Sequence, residues 1–267
     1  MITVITVSYN AADEIEKTIQ SVLAQNYNNI EYIIVDGGSK DGTKEIIEKY
    51  NDRLSKWVSE PDKGIYDAMN KGVSMAIGDW VCFMNAGDVF ESDDTISRVF
   101  SNKKYTDDVS VLYGDVVLDY LPYGYVLKRM NKLTGREIPL GLCHQATFTR
   151  LECLKEEPFD LSYPIYGDLH TFYSLWMKGR HFEYIPVPVA IFEAFEGVSS
   201  MHPERNFHES NRLQNRKWNN SIDWWKSLLR MILRKLSLML LCKKIYQQKR
   251  YKHILAINEE YKSLVAK

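Results

Sequence analysis

Within its first fifty residues the chain alternates twice between an apolar, β-branched run and a helical period, and that alternation leaves few folds open. Ile2 to Ser8 (ITVITVS) is followed by AADEIEKTIQSVLAQ, where Ile15, Ile19, Val22 and Leu23 recur at i, i+4, i+7 and i+8 and make one apolar face. IEYIIVD comes next, then the turn GGSKDGT and the helical TKEIIEKY. Strand, helix, strand, helix at this spacing is the βαβ pattern of a parallel sheet, whose strands are covered on both faces and so stay apolar throughout. A short third strand is expected near LSKWVSE, followed by the loop PDKGIYDAMNKG and a helix through Met75 to Ile77. The run Trp80, Val81, Cys82, Phe83, Met84 then predicts a fourth strand, before a helix beginning near Ser92.

Beyond residue 100 the pattern loosens. VSVLYGDVVLDY and YGYVLKRM read as an antiparallel pair turning around Pro122, HQATFTR as another strand, and DLHTFYSLWMKG as a helix closed by Gly179. FEYIPVPVAIFEAF is extended, because two prolines exclude a helix interior. The expected fold class is therefore α/β, a mostly parallel sheet with helices on both faces and a mixed second half.

At 45% hydrophobic and 26% charged residues, the chain has the composition of a soluble globular protein. The four cysteines (Cys82, Cys143, Cys153, Cys242) lack paired spacing, which argues against a zinc knuckle or a disulfide framework and for a reducing, cytoplasmic setting. The opening MITVITVSYN has no basic leader, and no stretch approaches the roughly 20 apolar residues a membrane span needs. A formal net charge of -1 conceals an asymmetry: residues 221–252 carry nine Lys or Arg against one Asp, so the remainder is acidic. An acidic main body argues against a nucleic-acid partner.

Three polar breaks follow apolar strands: Tyr9-Asn10, Asp36 and Asp88. In a parallel sheet these positions converge at the carboxyl edge, where open α/β folds bind ligands. Asp36, in IIVDGGSKDGT, is either an acceptor for a base imide or ribose hydroxyl, or a turn acid. Asp88, in MNAGD, is either a ligand for Mg2+ or Mn2+ or the acid of a turn before a helix. Neither GxxxxGK[ST] nor GxGxxG occurs, so phosphate would be handled by metal and basic side chains.

VITVSYNAADEIEKTIQSVLAQNYNNIEYIIVDGGSKDGT, followed by DKGIYDAMNKGVSMAIGDWVCFMNAGDVF, closely resembles family 2 glycosyltransferases, inverting enzymes of the GT-A (Rossmann-like) fold, and in particular the bacterial branch that builds capsular, exopolysaccharide and O-antigen units. The resemblance is strong over residues 1–100 and recognisable to about 200. It implies a catalytic domain over 1–220, with a nucleotide-sugar half (1–100) and an acceptor half (101–220), and a basic helical extension over 221–267. It implies that Thr6, Ser8 and Asn10 line the nucleotide pocket, that Asp36 reads uracil or another base, and that Asn70 lies in the donor pocket beside Asp67 and Lys71. NAGD stands where the family has Asp-x-Asp, which makes Asp88 the carboxylate for Mg2+ or Mn2+, with Asn85 replacing the first acid.

An inverting transfer needs a carboxylate to take the acceptor's proton. The resemblance points to Asp168 in YPIYGDLHTFYSLWMKG, a residue that an unaided reading would make a helix cap. His144 and Gln145, in GLCHQATF, would face donor sugar or acceptor, and His202 or Arg205 would approach the diphosphate from the loop FEGVSSMHPERN. In the basic tail, Lys226, Arg230 and Arg234 recur every four residues beside an apolar face. Residues 222–252 therefore form either an amphipathic helix lying on the inner face of the cytoplasmic membrane or one packed on the catalytic domain. The implied partners are a nucleotide-sugar donor, UDP-linked first, and a glycan or polyprenyl-lipid-linked acceptor. Two alternatives stand beside the transferase: a catalytically silent nucleotide-binding scaffold, favoured by Asn85, and a nucleotidyltransferase, which SYNAADE disfavours for want of Lys, Arg or Gly.

Overall fold

The computed structural model describes residues 1–101, 103–120, 124–134, 139, 141–194, 202–215 and 222–240. The loop 195–201 and the basic segment 241–252 lie outside the described residues, as does the Arg234 side chain. The strands are β1 Ile2–Ser8, β2 Ile30–Asp36, β3 Lys56–Ser59, β4 Trp80–Phe83, β5 Val89–Phe90, β6 Val109–Asp119, β7 Tyr125–Lys128, β8 Thr147–Arg150 and β9 His181–Glu193. The helices are α1 Ile15–Leu23, α2 Thr43–Glu48, α3 Ile65–Met75, α4 Thr95–Phe100, α5 Leu151–Glu156, α6 Gly167–Met177, α7 Pro203–Leu213 and α8 Ile222–Leu240.

The sheet runs β3-β2-β1-β4-β8-β6-β9-β5. β1 pairs in parallel with β2 from Ile2↔Ile30 to Ser8↔Asp36 and with β4 from Ile2↔Trp80 to Ile5↔Phe83, while β2 is parallel to β3. β8 is antiparallel to both β4 and β6, and β5 is antiparallel to β9, so a parallel half joins a mixed half. The steps β1 to β2 to β3 move outward with α1 and α2, whereas the return to β4 carries α3. Because parallel crossovers are right-handed, α3 covers the opposite face. Alternate strand residues Ile5, Val7, Ile33, Val35, Val81 and Phe83 meet Met69 and Val73 of α3 there. The approach is close: a Cβ on Gly72 would lie 2.5 Å from Ile5 Cγ2.

Several elements differ from the sequence expectation; Arg205, expected in a loop, lies on α7, and three further differences bear on the site. The expected loop 61–72 is largely α3, whose buried Tyr66, Met69 and Val73 repeat at helical spacing. Just before its start the Asp67 carboxylate accepts the Lys63 N–H at 2.9 Å, and Gly64 at the N-cap and Gly72 inside the helix disguise it as a loop. The helix expected near Ser92 begins at Thr95, because Ser92 and Asp94 form the preceding turn, with the Ser92 N–H donating to Thr95 Oγ1 at 3.1 Å. HQATFTR is not all strand: His144–Ala146 form a 3-10 turn, held by the Thr147 hydroxyl donating to the His144 carbonyl at 3.0 Å, and β8 follows.

The chain divides into two compact units, Met1–Val117 with Lys128–Phe192 and Leu118–Leu127 with Glu193–Lys267. Every candidate residue named above except His202 and Arg205 lies in the first. In the second, Phe207 of α7 meets Trp224 of α8 edge to face, with ring centroids 5.4 Å apart. Along α8, Ile222, Trp225, Leu229, Ile232, Leu233 and Leu236 are exposed, Leu229 to 57%. No described helix is long and apolar enough to cross a membrane.

Candidate functional site

The carboxyl ends of β1, β2 and β4 form one rim. Ser8 stands opposite Asp36 in the register and donates to its Oδ1 at 3.0 Å. Asp36 is wholly buried and accepts from five donors in all: the Ser8, Ser39 and Ser59 hydroxyls and the Gly38 and Ser39 N–H groups. Burial raises its pKa, but the hydrogen bonds from Ser39, Ser59 and Ser8 outweigh it and hold the carboxylate below its ordinary value. The turn role of Asp36 is thus what the geometry displays, and a base could reach it only by displacing one of these donors. Asn10, in the left-handed region at φ 48°, ties the same loop: its N–H donates to Ser39 Oγ at 2.7 Å and its Oδ1 accepts the Lys40 N–H at 3.0 Å.

Beyond β4 the chain stays beside β1, with the Ala86 N–H donating to the Val7 carbonyl at 3.0 Å, and then closes a turn through the Asp88 N–H to the Asn85 carbonyl at 2.9 Å. Thr18 of α1 braces this turn, donating to the Asp88 carbonyl at 2.8 Å and accepting the Gly87 N–H at 3.0 Å. The Asp88 carboxyl is buried, which pushes its pKa up to about 6 against the opposing pull of His144 and a hydrogen bond from the Gln145 side chain. Asn85 Oδ1 is also buried and has no hydrogen-bond partner among the described residues. No group of three His, Cys, Asp or Glu placed to hold a metal ion by themselves occurs among the described residues. One carboxylate and one unpartnered amide oxygen nevertheless suit a hard divalent ion, which keeps waters and substrate phosphate oxygens as its other ligands.

Asp168 occupies the first turn of α6, after Tyr166 in the cap position, whose own side chain makes no cap bond. Its Oδ1 accepts the Leu169 N–H at 2.8 Å and lies 2.9 Å from the Tyr66 hydroxyl. Its Oδ2 lies 2.9 Å from His144 Nδ1. An ionised Asp168 requires the proton on Nδ1, so in the neutral imidazole Nε2 accepts from Asn85 Nδ2, 2.9 Å away. Burial favours the neutral ring, but the hydrogen bond to Asp168 and the charges of Asp168 and Asp88 overcome it, so the His144 pKa stands above its ordinary value. Asp88, Asn85, His144 and Asp168 thereby form one connected polar network.

The remaining expected residues stand apart from this network. Thr6 is fully buried, donating to the Met84 carbonyl at 2.7 Å and meeting the Tyr32 hydroxyl at 3.0 Å. Both ends of the Asn70 amide bind the Phe159 backbone, at 2.9 and 3.0 Å, and Lys71 pairs with Glu60 and the Pro61 carbonyl. With Asp67 tied to the Lys63 N–H, these side chains bond to nearby backbone groups. Tyr66 was not anticipated. The available signal was its place one residue before Asp67 on the buried stripe of α3, visible only once that segment is read as a helix.

The family model for glycosyl transferase family 2 matches residues 3–145, more than half of the chain. An uncharacterized glycosyltransferase of Mycobacterium tuberculosis is 34% identical over 176 residues, 62% of this chain and 65% of that protein, so the match spans just under two thirds of the relative's length. A PGL/p-HBAD biosynthesis glycosyltransferase of Mycobacterium bovis is 29% identical over 217 residues, 78% of this chain and 82% of its own. A mannosyltransferase of Pyrobaculum calidifontis, solved with GDP-Man and Mn2+, superposes with a TM-score of 0.62 at 18% identity, covering 96% of this chain and 74% of that one.

Proposed function

The chain belongs to glycosyl transferase family 2 and has the GT-A fold, and from that premise we propose that it transfers a sugar, with inversion, from a nucleotide-diphosphate donor to a hydroxyl of a glycan or polyprenyl-lipid-linked acceptor in bacterial surface polysaccharide synthesis. The observation that carries the reading is the network joining Asp88 and Asn85 at the sheet rim to Asp168 at the start of α6. In this reading the acceptor oxygen bonds to the anomeric carbon as the bond to the diphosphate breaks on the opposite side, and the hydroxyl proton passes to Asp168. Tyr66 and His144 hold that carboxylate ready. The nucleotide lies along the rim of Ser8, Asn10 and the loop anchored by Asp36, with a UDP-sugar as the first candidate. Asp88 and Asn85 would hold Mg2+ or Mn2+, which when bound neutralises charge on the leaving diphosphate.

The exposed apolar stripe of α8, flanked by Lys226 and Arg230, supports peripheral contact with an anionic membrane at the cytoplasmic face, where a lipid-linked acceptor would be met. The deciding experiment is hydrolysis and transfer from a panel of UDP-, GDP- and dTDP-sugars with and without Mn2+, using wild type and Asp168→Asn. Turnover by wild type alone, with equal nucleotide affinity in both proteins, is expected. Comparable turnover by the variant removes Asp168 from the role. The replacement of an acid by Asn85 favours a second reading, a silent nucleotide-binding protein, and binding of nucleotide without any turnover would select it.

A further inference from the structure

Asp168 has two carboxylate oxygens in unlike surroundings. Oδ1 accepts the Leu169 N–H of its own helix and lies 2.9 Å from the Tyr66 hydroxyl, which is also 2.7 Å from the Ile165 carbonyl. Among the described residues Oδ2 has one contact, His144 Nδ1 at 2.9 Å, and a carboxylate oxygen with a single donor keeps a lone pair for an incoming proton. His144 is itself fixed from three directions. Its Nε2 meets Asn85 at 2.9 Å, its carbonyl accepts the Thr147 hydroxyl at 3.0 Å, and the Ala146 N–H closes the turn on the Cys143 carbonyl at 2.9 Å.

We propose that His144 is a positioning residue: its Nδ1–H sets the rotation of the Asp168 carboxylate so that the free lone pair of Oδ2 faces the acceptor hydroxyl, while its own ring contacts neither sugar. The inference rests on Asp168 being the base, and it assigns His144 a task other than binding donor or acceptor. A rotation of the carboxylate that misplaces Oδ2 by about 1 Å is enough to slow proton transfer on the order of 100-fold.

Side-chain geometry separates the two arms of the imidazole. In His144→Asn the amide Nδ2 occupies the place of Nδ1 and keeps the link to Asp168. In His144→Gln the amide reaches the place of Nε2 and keeps only the link to Asn85. The test measures kcat and KM for hydrolysis of the most active sugar of the UDP, GDP and dTDP panel, dissociation constants for the free nucleotide, and melting temperatures, for wild type, both variants and His144→Ala. The expected result is kcat within about threefold of wild type for His144→Asn, and losses of about 10- to 100-fold for His144→Gln and His144→Ala, with donor KM and nucleotide affinity within about twofold throughout. Equal kcat in the Asn and Gln variants overturns the proposal, as does a loss expressed in KM. Asp168→Asn in the same series separates the two levels. If it is inert while every His144 variant works, only the positioning role falls; if it is active, or wild type is inert, the assignment of Asp168 falls as well.

Discussion

Replacing Asp88 with Asn should make the metal-free protein more stable at neutral pH while removing its response to Mn2+. The carboxyl is buried, and loss of water raises its pKa from 3.8 to about 6 despite the opposing influence of His144 and Gln145. A shift of about two units corresponds to roughly 3 kcal/mol of unfavourable energy when the group is ionised in the folded state. The sign follows from proton binding. The folded protein holds the Asp88 proton more tightly than the unfolded chain, so stability falls as pH rises from about 4 through about 6, and the full penalty is present above that window. Asn carries no charge and escapes it. At pH 8 in chelator, Asp88→Asn should therefore gain up to about 3 kcal/mol in urea unfolding, or roughly 6–12 °C in melting temperature for a chain of this size. The advantage should shrink as pH is lowered toward 4. Mn2+ should raise the melting temperature of wild type in the presence of UDP and leave the variant unmoved. A variant less stable than wild type at pH 8, or a difference indifferent to pH, would refute the claim that desolvation dominates at Asp88.

Gly167→Ala tests the other arm of the base. An added Cβ would sit 2.6 Å from Tyr66 Cδ2, so the ring and its hydroxyl must leave Asp168 Oδ1, and kcat should drop on the order of 10-fold with UDP affinity unchanged; undiminished turnover would show that Tyr66 is dispensable. On α8, the paired changes Leu229→Glu and Leu233→Glu place charge on an exposed apolar stripe. They should abolish cosedimentation with phosphatidylglycerol vesicles at low salt and leave donor hydrolysis intact, whereas unchanged sedimentation would remove the stripe from the membrane role.

The parallel half of the fold was legible because its signals are local and agree with one another. Ile2–Ser8 and Ile30–Asp36 are β-branched, and Trp80–Phe83 is continuously apolar, as doubly covered strands must be. Ile15, Ile19 and Val22 all turn inward from α1. What failed was punctuation. Gly64 and Gly72 read as loop residues, yet the first precedes the helix and the second sits where α3 touches Ile5, so a packing requirement mimicked a turn signal. The strand order and the antiparallel placement of β8 depend on pairings between distant segments, which periodicity does not encode.

The site was legible in its location more than in its assignments. Asp88 and Asp168 were singled out as the metal carboxylate and the base, and the structure joins Asp168 through His144 to Asn85, whose carbonyl accepts the Asp88 N–H. Asn70, Lys71 and Thr6 were expected in the donor and nucleotide pockets, and the structure shows each bonded to a backbone carbonyl, of Phe159, Pro61 and Met84; a polar residue beside a ligand and one satisfied by a backbone carbonyl look alike in sequence. The same consideration gives Asn85 a meaning beyond the loss of an acid. An acid at this position would set a third carboxylate beside an imidazole already facing Asp168 and Asp88, next to a group whose pKa burial pushes up to about 6 even against the pull of His144. A neutral amide keeps the hydrogen bond to Nε2 without that repulsion, so the departure from Asp-x-Asp and the His144 bridge are two sides of one arrangement.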